Sequence, residues 1–291
     1  MDLLLSKFLA THANGDTQVW NDVYSGKINV EIAIYGSSRA YRHINPQILH
    51  DRLDKTAYNF GISGHNFWLQ YLRNLVFQNN NPPPDVIIHS VDINTLQKRP
   101  DLYDEGQFLP FMLWNKEIYD YTHQYEGFSK FDYSVPMLRY AKRGNVILLS
   151  LFDERRNQGY LAQNRKWNHD MENARAQQDF YEILYDQPTL ELYDRFLSEC
   201  REKNIQVIMV YTPEYIEGQE FVKNRDELIA RFRAIAEKHA LIFLDYSSDP
   251  MSFDKQYFYN ALHMNQDGAE IFTKQLAEDL KKIGLDHSES N

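Results

Sequence analysis

The chain predicts an α/β fold, a doubly wound three-layer α/β/α sandwich around a mainly parallel sheet. Three observations carry that prediction. Short apolar runs rich in Val and Ile recur at residues 31–36, 85–91, 205–211 and 241–245, continuous rather than alternating, as strands covered on both faces read. Stretches with helical spacing separate them, the alternation that builds βαβ units. Glycines and small polar residues follow the first two strands, at the carboxyl edge where open sheets bind ligands.

Residues 1 to about 28 form a lead-in, a short helix followed by a polar loop at 13–16. Its apolar start, Met1 to Leu9, lacks a basic n-region and a cleavage site, so it does not read as a signal peptide; it fits the trimmed end of a longer anchor. Residues 29–291 then form a single domain. The first strand stops at Gly36, Ser37 and Ser38 follow, and a helix is expected over 44–53 with Asn45-Pro46 as cap and first turn. Residues 57–60 give a short second strand that enters Gly61-Ile62-Ser63-Gly64, and Phe67, Leu69, Leu72, Leu75 and Val76 give a helix over 66–77. The run Asn79 to Pro84 breaks it before the strand 85–91. From 97 to about 186 the regularity lapses into an insertion rich in Tyr, Trp, Asn and Gln. Its best local elements are 145–149 and an amphipathic run at 179–184. Alternation resumes with a helix over 189–203, the strand 205–211, a helix over 220–239, the strand 241–245 and a last helix over 266–283. No internal repeat is visible.

Composition bounds the partners. Of 291 residues, 43% are hydrophobic and 25% charged, ordinary for a globular protein, and 31 Lys+Arg against 41 Asp+Glu give a net charge of −10. That acidity argues against nucleic acid, which needs a basic footprint, and against docking on anionic lipid. No stretch approaches the ~20 apolar residues of a membrane span. The lone Cys200 excludes an internal disulfide and a thiolate-rich metal site. His65, His89 and Asp92 lack zinc-ligand spacing and there is no phosphate-cradling glycine motif, so neither metal nor cofactor is expected. The 20 Tyr and 17 Phe suit a core, or a groove for a sugar or acyl chain. Residues 159–169, aromatic and polar, suit a lid or a capping loop.

Ser38, at the end of the first strand, serves either as a turn or N-cap residue or as a nucleophile. A nucleophile needs a base, and His263 lies in the loop before the last helix. It also needs oxyanion donors, for which the backbone N–H groups of Ser38 and Gly64 are placed. Arg39 either clamps a substrate anion or supports its loop, the supporting role being favoured.

Gly36-Ser37-Ser38, then Asn59-Phe60-Gly61-Ile62-Ser63-Gly64, then Asn260-Ala261-Leu262-His263, taken in this order and spacing, resemble the SGNH (GDSL-type) hydrolase superfamily over nearly the whole chain except the insertion. The resemblance implies a flavodoxin-like sandwich, Ser38 as nucleophile, His263 as general base and Gly64 as an oxyanion donor. Gly-Ser-Ser in place of Gly-Asp-Ser is similar to branches acting on cell-envelope or polysaccharide acyl groups, O-acyltransferases included. Such relatives are often extracytoplasmic and anchored. The chain departs from the family in two places. Its third block reads Ser90-Val91-Asp92-Ile93-Asn94 without a glycine, which leaves Asn94 to act as oxyanion donor and Asp92 to pair with Arg39. Asn260 stands where the family has aspartate. An amide lacks the charge that stabilises an imidazolium and can favour the wrong tautomer; in serine proteases this exchange costs ~10⁴ in kcat. Three expectations follow: a slow Ser–His dyad, another carboxylate such as Asp254 or Asp267 supporting His263, or a glycan-binding or envelope protein without turnover. The leading reading is a serine-dependent esterase of small-molecule or carbohydrate acyl esters, with an O-acyltransferase as its alternative.

Overall fold

The computed structural model describes residues 1–64 and 67–285. Strands β1 (Ile32–Gly36), β2 (Ala57–Asn59), β3 (Val86–Val91), β4 (Gln206–Tyr211) and β5 (Ile242–Asp245) form one sheet in the order β2-β1-β3-β4-β5. All neighbours are parallel, with Ile32 opposite Ala57 on one side and Val86 on the other. The order reverses between β1 and β3, and that switch point opens a crevice at the strands' carboxyl ends.

Alternate residues of each strand face opposite cores. Ala33, Tyr35, Ile87, Val91, Val207 and Met209 pack beneath the helices Gly15–Tyr24, Phe67–Asn80, Gln187–Glu202 and Arg225–His239. Ile32, Ile34, Val86, Ile88, Ile208 and Val210 pack beneath Pro46–Leu53 and Gln266–Lys282. Helices cover both faces, which is why the strands read as unbroken apolar runs.

Some local expectations change. The polar loop at 13–16 shrinks to two residues between the helices Asp2–His12 and Gly15–Tyr24, with Asp16 buried and Trp20 sealed in the first core. Helix begins before residue 44, with Ser38–His43 capped by Ser37; Pro46–Leu53 follows, its cap Asn45 accepting from the Gln47 N–H at 3.0 Å. Residues 145–149, expected as a local element of the insertion without a type, lie in the helix Gly144–Phe152. Residues 179–184 stay extended, because Tyr181 bridges Val222 and the Ile183 N–H finds Asn224 Oδ1 at 2.8 Å. Tertiary partners for the backbone outweigh the local amphipathic spacing there.

The insertion lends Leu102, Phe108, Leu109 and Met112 to the first core. Its later part runs along the functional edge, the Leu161 N–H donating to the Tyr41 carbonyl at 2.9 Å and the Asn168 N–H to the Tyr259 carbonyl at 2.8 Å. No helix among the described residues is long and apolar enough to cross a membrane.

Candidate active site

Gly36 ends β1 at φ 150°, and a Cβ there would meet the Ser90 carbonyl oxygen at 2.6 Å. Only glycine allows this turn. Ser37, not Ser38, is the helix cap, its Oγ accepting from the Arg39 N–H at 3.2 Å. That leaves the Ser38 side chain free of structural duty at the first helical position, half-buried, with Oγ 2.7 Å from His263 Nε2. His263 arrives on a small antiparallel hairpin, β6 (Phe258–Asn260) and β7 (His263–Met264), which sets it opposite Asn260.

The hydrogen bonds of Asn260 decide the tautomer. Its Oδ1 accepts from the backbone N–H groups of Leu262 at 3.1 Å and His263 at 2.8 Å, and lies 3.0 Å from His263 Nδ1. Two fixed backbone donors require an oxygen at that position, so the amide NH2 points away from the ring. Nδ1 therefore carries the proton and Nε2 offers its lone pair to Ser38. The expectation that an amide here favours the wrong tautomer is corrected by this local geometry. The amide NH2 donates to Asp170 Oδ2 at 3.2 Å, in the insertion. Asp254 instead caps the Gln256 N–H at 3.2 Å, and Asp267 lies in the first turn of the last helix. Neither of these two carboxylates, expected to support His263, takes the place that Asp170 holds.

The Tyr259 ring stacks on the imidazole at 5.5 Å and 7°. Burial, then the Arg42 and Arg39 charges, push the His263 pKa down to about 3, so the ring is neutral at ordinary pH. His43 lies beside it with ring centroids 6.0 Å apart. Its Nε2 accepts from the Met264 N–H at 3.0 Å, leaving Nδ1–H for Thr212 Oγ1 at 2.9 Å. Those bonds tie the Ser38–His43 helix to the hairpin that carries His263 and to the residue that follows β4.

Neither the Ser38 nor the Gly64 N–H engages an acceptor among the described residues. Gly64 sits at φ 64°, where a Cβ would press on the Tyr103 ring at 2.7 Å. Asn94 and His263 line a cleft of about 470 Å³ whose apolar wall includes Met171, Phe221 and Leu262. Asp92 Oδ1 orders the Asn94 turn by accepting its N–H at 2.8 Å, and Asp92 Oδ2 accepts the Ser37 hydroxyl. Burial raises the Asp92 pKa despite those donors and the Arg39 charge.

The expected Arg39–Asp92 ion pair is replaced by another. Arg39 is buried, with Nη1 2.8 Å from Glu214 Oε2 and Nε donating to Thr212 Oγ1 at 3.1 Å. Glu214 Oε1 accepts from Arg225 Nε at 2.9 Å and from the Tyr211 hydroxyl at 2.7 Å. A second buried acid, Asp16, holds Arg73 at 3.1 Å and Arg156 at 2.8 Å. Both arginines also donate to the Gly61 carbonyl, and Asp16 Oδ2 accepts the Ser63 N–H at 3.3 Å. Arg39 is thus turned inward as a support, and the Gly61–Gly64 turn rests on charges from three separate segments. Sequence reading missed Glu214, His43, Asp16, Arg156 and Asp170. Thr212-Pro213-Glu214, directly after a strand, carried a usable signal, while Asp16 and Arg156 carried none.

His89 faces the first core, not the functional edge: Nδ1 takes the Tyr193 hydroxyl at 2.8 Å and Nε2 lies 2.9 Å from Gln70 Oε1. His65, grouped with it on sequence, lies outside the described residues, as does Asn66.

No family model matches the chain, and no curated protein matches it. Solved structures do. One from Streptococcus pneumoniae, provisionally assigned as a platelet activating factor, is 13% identical with TM-score 0.45, covering 96% of each chain. An acetyl xylan esterase is 13% identical with TM-score 0.43, covering 87% of this chain and 99% of that one. A GDSL-like lipase from Bacteroides thetaiotaomicron is 12% identical with TM-score 0.39, covering 91% and 98%. At such scores the likeness says nothing of this chain's chemistry.

Proposed function

We propose that the chain is a serine-dependent ester hydrolase. The observation that carries this reading is the 2.7 Å approach of Ser38 Oγ to a His263 Nε2 whose lone pair is fixed by Asn260. Ser38 Oγ attacks the acyl carbon as its proton passes to Nε2. The tetrahedral oxyanion is received by the N–H groups of Ser38 and Gly64, with the Asn94 amide as a third donor. His263 then returns the proton to the leaving alkoxide, leaving an acyl-Ser38 ester. Water, activated by the same imidazole, attacks that ester and releases the acid. A sugar hydroxyl in place of water would make the same site an O-acyltransferase.

Asn260 supplies orientation without a negative charge, and the neighbouring arginines oppose imidazolium formation. Both features favour slow turnover. The test is acylation of Ser38 itself: an aryl fluorophosphonate is expected to add one phosphonyl mass to the native protein and none to Ser38→Ala. Hydrolysis of 4-nitrophenyl acetate should fall in Ser38→Ala to the uncatalysed level, a loss of ~10³-fold or more. Labelling that persists in Ser38→Ala, or a folded protein that neither labels nor hydrolyses, overturns the reading in favour of a binding protein.

A further inference from the structure

Resting on that reading, we infer that the ester taken by this site carries a carboxylate, and that Arg42 receives it. Ser38 and Arg42 are four residues apart on one short helix and so share a face. The Arg42 guanidinium lies 5.1 Å from the Tyr41 ring centroid and 5.7 Å from that of Tyr259, the ring that stacks on His263. One aromatic ring therefore separates this cation from the base. Tyr41 in turn donates its hydroxyl to Ser63 Oγ at 3.0 Å, beside the oxyanion turn. After burial, the Arg42 charge is the largest influence holding the imidazole neutral, which fits that proximity.

What sets Arg42 apart is its lack of a counterion among the described residues. Twelve of the chain's 16 arginines pair with a carboxylate among the described residues. Of the remaining four, Arg155, Arg175 and Arg201 are exposed, and only Arg42 is half-buried. Among the described residues its one hydrogen bond runs from Nε to the Tyr41 hydroxyl at 3.3 Å, and Nη1 is sealed from solvent without a partner. Glu154 acts on it only at longer range, its oxygens lying against Arg165 at 3.7 Å and Gln163 at 3.1 Å. In a chain with ten more acids than bases, withholding a carboxylate from a partly desolvated guanidinium is costly. A substrate carboxylate supplies the missing charge, and the rings on either side hold the fork in place to receive it.

The test compares matched anionic and neutral esters in the native protein, Arg42→Gln and Arg42→Lys. One pair is 3-acetoxybenzoate and its methyl ester, with the charge on the alcohol side. The other is 4-nitrophenyl hydrogen adipate and 4-nitrophenyl hexanoate, with the charge on the acyl side. In one pair the native kcat/KM ratio, anionic over neutral, is expected to be about tenfold, to fall toward one in Arg42→Gln and to be partly kept in Arg42→Lys. Because the ratio is taken within each variant, a general loss of folded protein does not alter it. Ratios that Arg42→Gln leaves unchanged in both pairs, with hydrolysis still dependent on Ser38, overturn this inference and leave the hydrolase standing. If no ester turns over, the hydrolase reading fails first. Calorimetric titration of Ser38→Ala with 3-acetoxybenzoate then decides: an affinity about tenfold weaker in Ser38→Ala/Arg42→Gln sustains the anion site, and equal affinity or no binding ends it.

Discussion

Two buried acids, Asp16 and Glu214, each hold two arginines, yet the clusters support different halves of the site. Glu214 lies under the turn that carries Ser38: it binds Arg39 from the helix that begins at Ser38 and Arg225 from the helix before β5, and Arg39 clasps Thr212. Asp16 lies under the second turn: Arg73 and Arg156 converge on it and on the Gly61 carbonyl, while Asp16 also takes the Ser63 N–H. In the first cluster the arginines bind groups that follow strand ends, the Thr212 hydroxyl and carbonyl and the Ser247 carbonyl. In the second the charges bind the backbone of the glycine turn itself, and so fix the loop that presents the Gly64 N–H. A helix can orient a nucleophile by itself, but a short glycine turn has no internal ladder of hydrogen bonds and must borrow them.

The largest expected effects come from breaking these clusters. Asp16→Ala and Glu214→Ala each strand two arginines in the interior and should lower the unfolding free energy by about 3–5 kcal/mol. Urea denaturation measures it. A loss below about 1 kcal/mol for either variant would show that its cluster is solvated in practice, and the parallel would fail. The variants should also differ in function at temperatures where both stay folded. Phosphonylation of Ser38 should survive Glu214→Ala only as far as its turn survives. Asp16→Ala should lower kcat through the Gly61–Gly64 turn while His263 remains in place.

A smaller effect separates these charges from the neutral histidines nearby. Burial holds His89 at about 3, burial with the neighbouring arginines holds His263 at about 3, and burial with Arg39 holds His43 well below 6.5. In each case the folded pKa lies below the unfolded value, so the unfolded chain binds more protons as pH falls below about 6.5. The stability from these groups is whole above that value and declines toward pH 3, with a slope approaching about 1.4 kcal/mol per pH unit per histidine. His89→Gln can keep both partners, Tyr193 and Gln70, and removes one titration. Urea midpoints at pH 7, 6 and 5 should therefore fall less steeply in that variant. An unchanged slope would assign the acid sensitivity elsewhere.

How much of this was legible in the sequence follows from the range of each interaction. The sheet was readable because a strand covered on both faces announces itself locally, as 85–91 and 205–211 do. Ser38, Gly64 and His263 were readable because each sits at a fixed place relative to a strand or helix end, and β1, the Gly61–Gly64 turn and the hairpin bring those ends together. The tautomer was not readable. It depends on two backbone N–H groups folding back on Asn260 Oδ1, which only the hairpin geometry creates. The Asp16 cluster was hidden for the same reason: residues 16, 73 and 156 share no local pattern. Asp170 lay in a segment whose sequence lacked regularity, and it reaches the site only because the Asn168 N–H fastens that segment to Tyr259.

The finest test concerns that last contact. Asn260→Asp alone gives His263 a charged partner, but it also sets a carboxylate against Asp170, whose Oδ2 is 3.2 Å from the present amide nitrogen. Like charges at that distance raise one pKa and expel one side chain. The exchange should therefore work best in combination. With Asn260→Asp and Asp170→Asn together, the new carboxylate keeps both backbone donors and Nδ1–H, while the new amide donates to its unused oxygen. The negative charge then sits one bond closer to the imidazole and stabilises the imidazolium as Ser38 gives up its proton. We expect kcat for 4-nitrophenyl acetate to rise about tenfold in the double variant and less in Asn260→Asp alone, with the acid limb of the pH profile moving up as the imidazole gains basicity. A single variant equal to the double would mean that Asp170 stands too far into solvent to repel. Asp170→Asn alone should then also leave kcat unchanged, and the insertion would supply shape to the site but no charge.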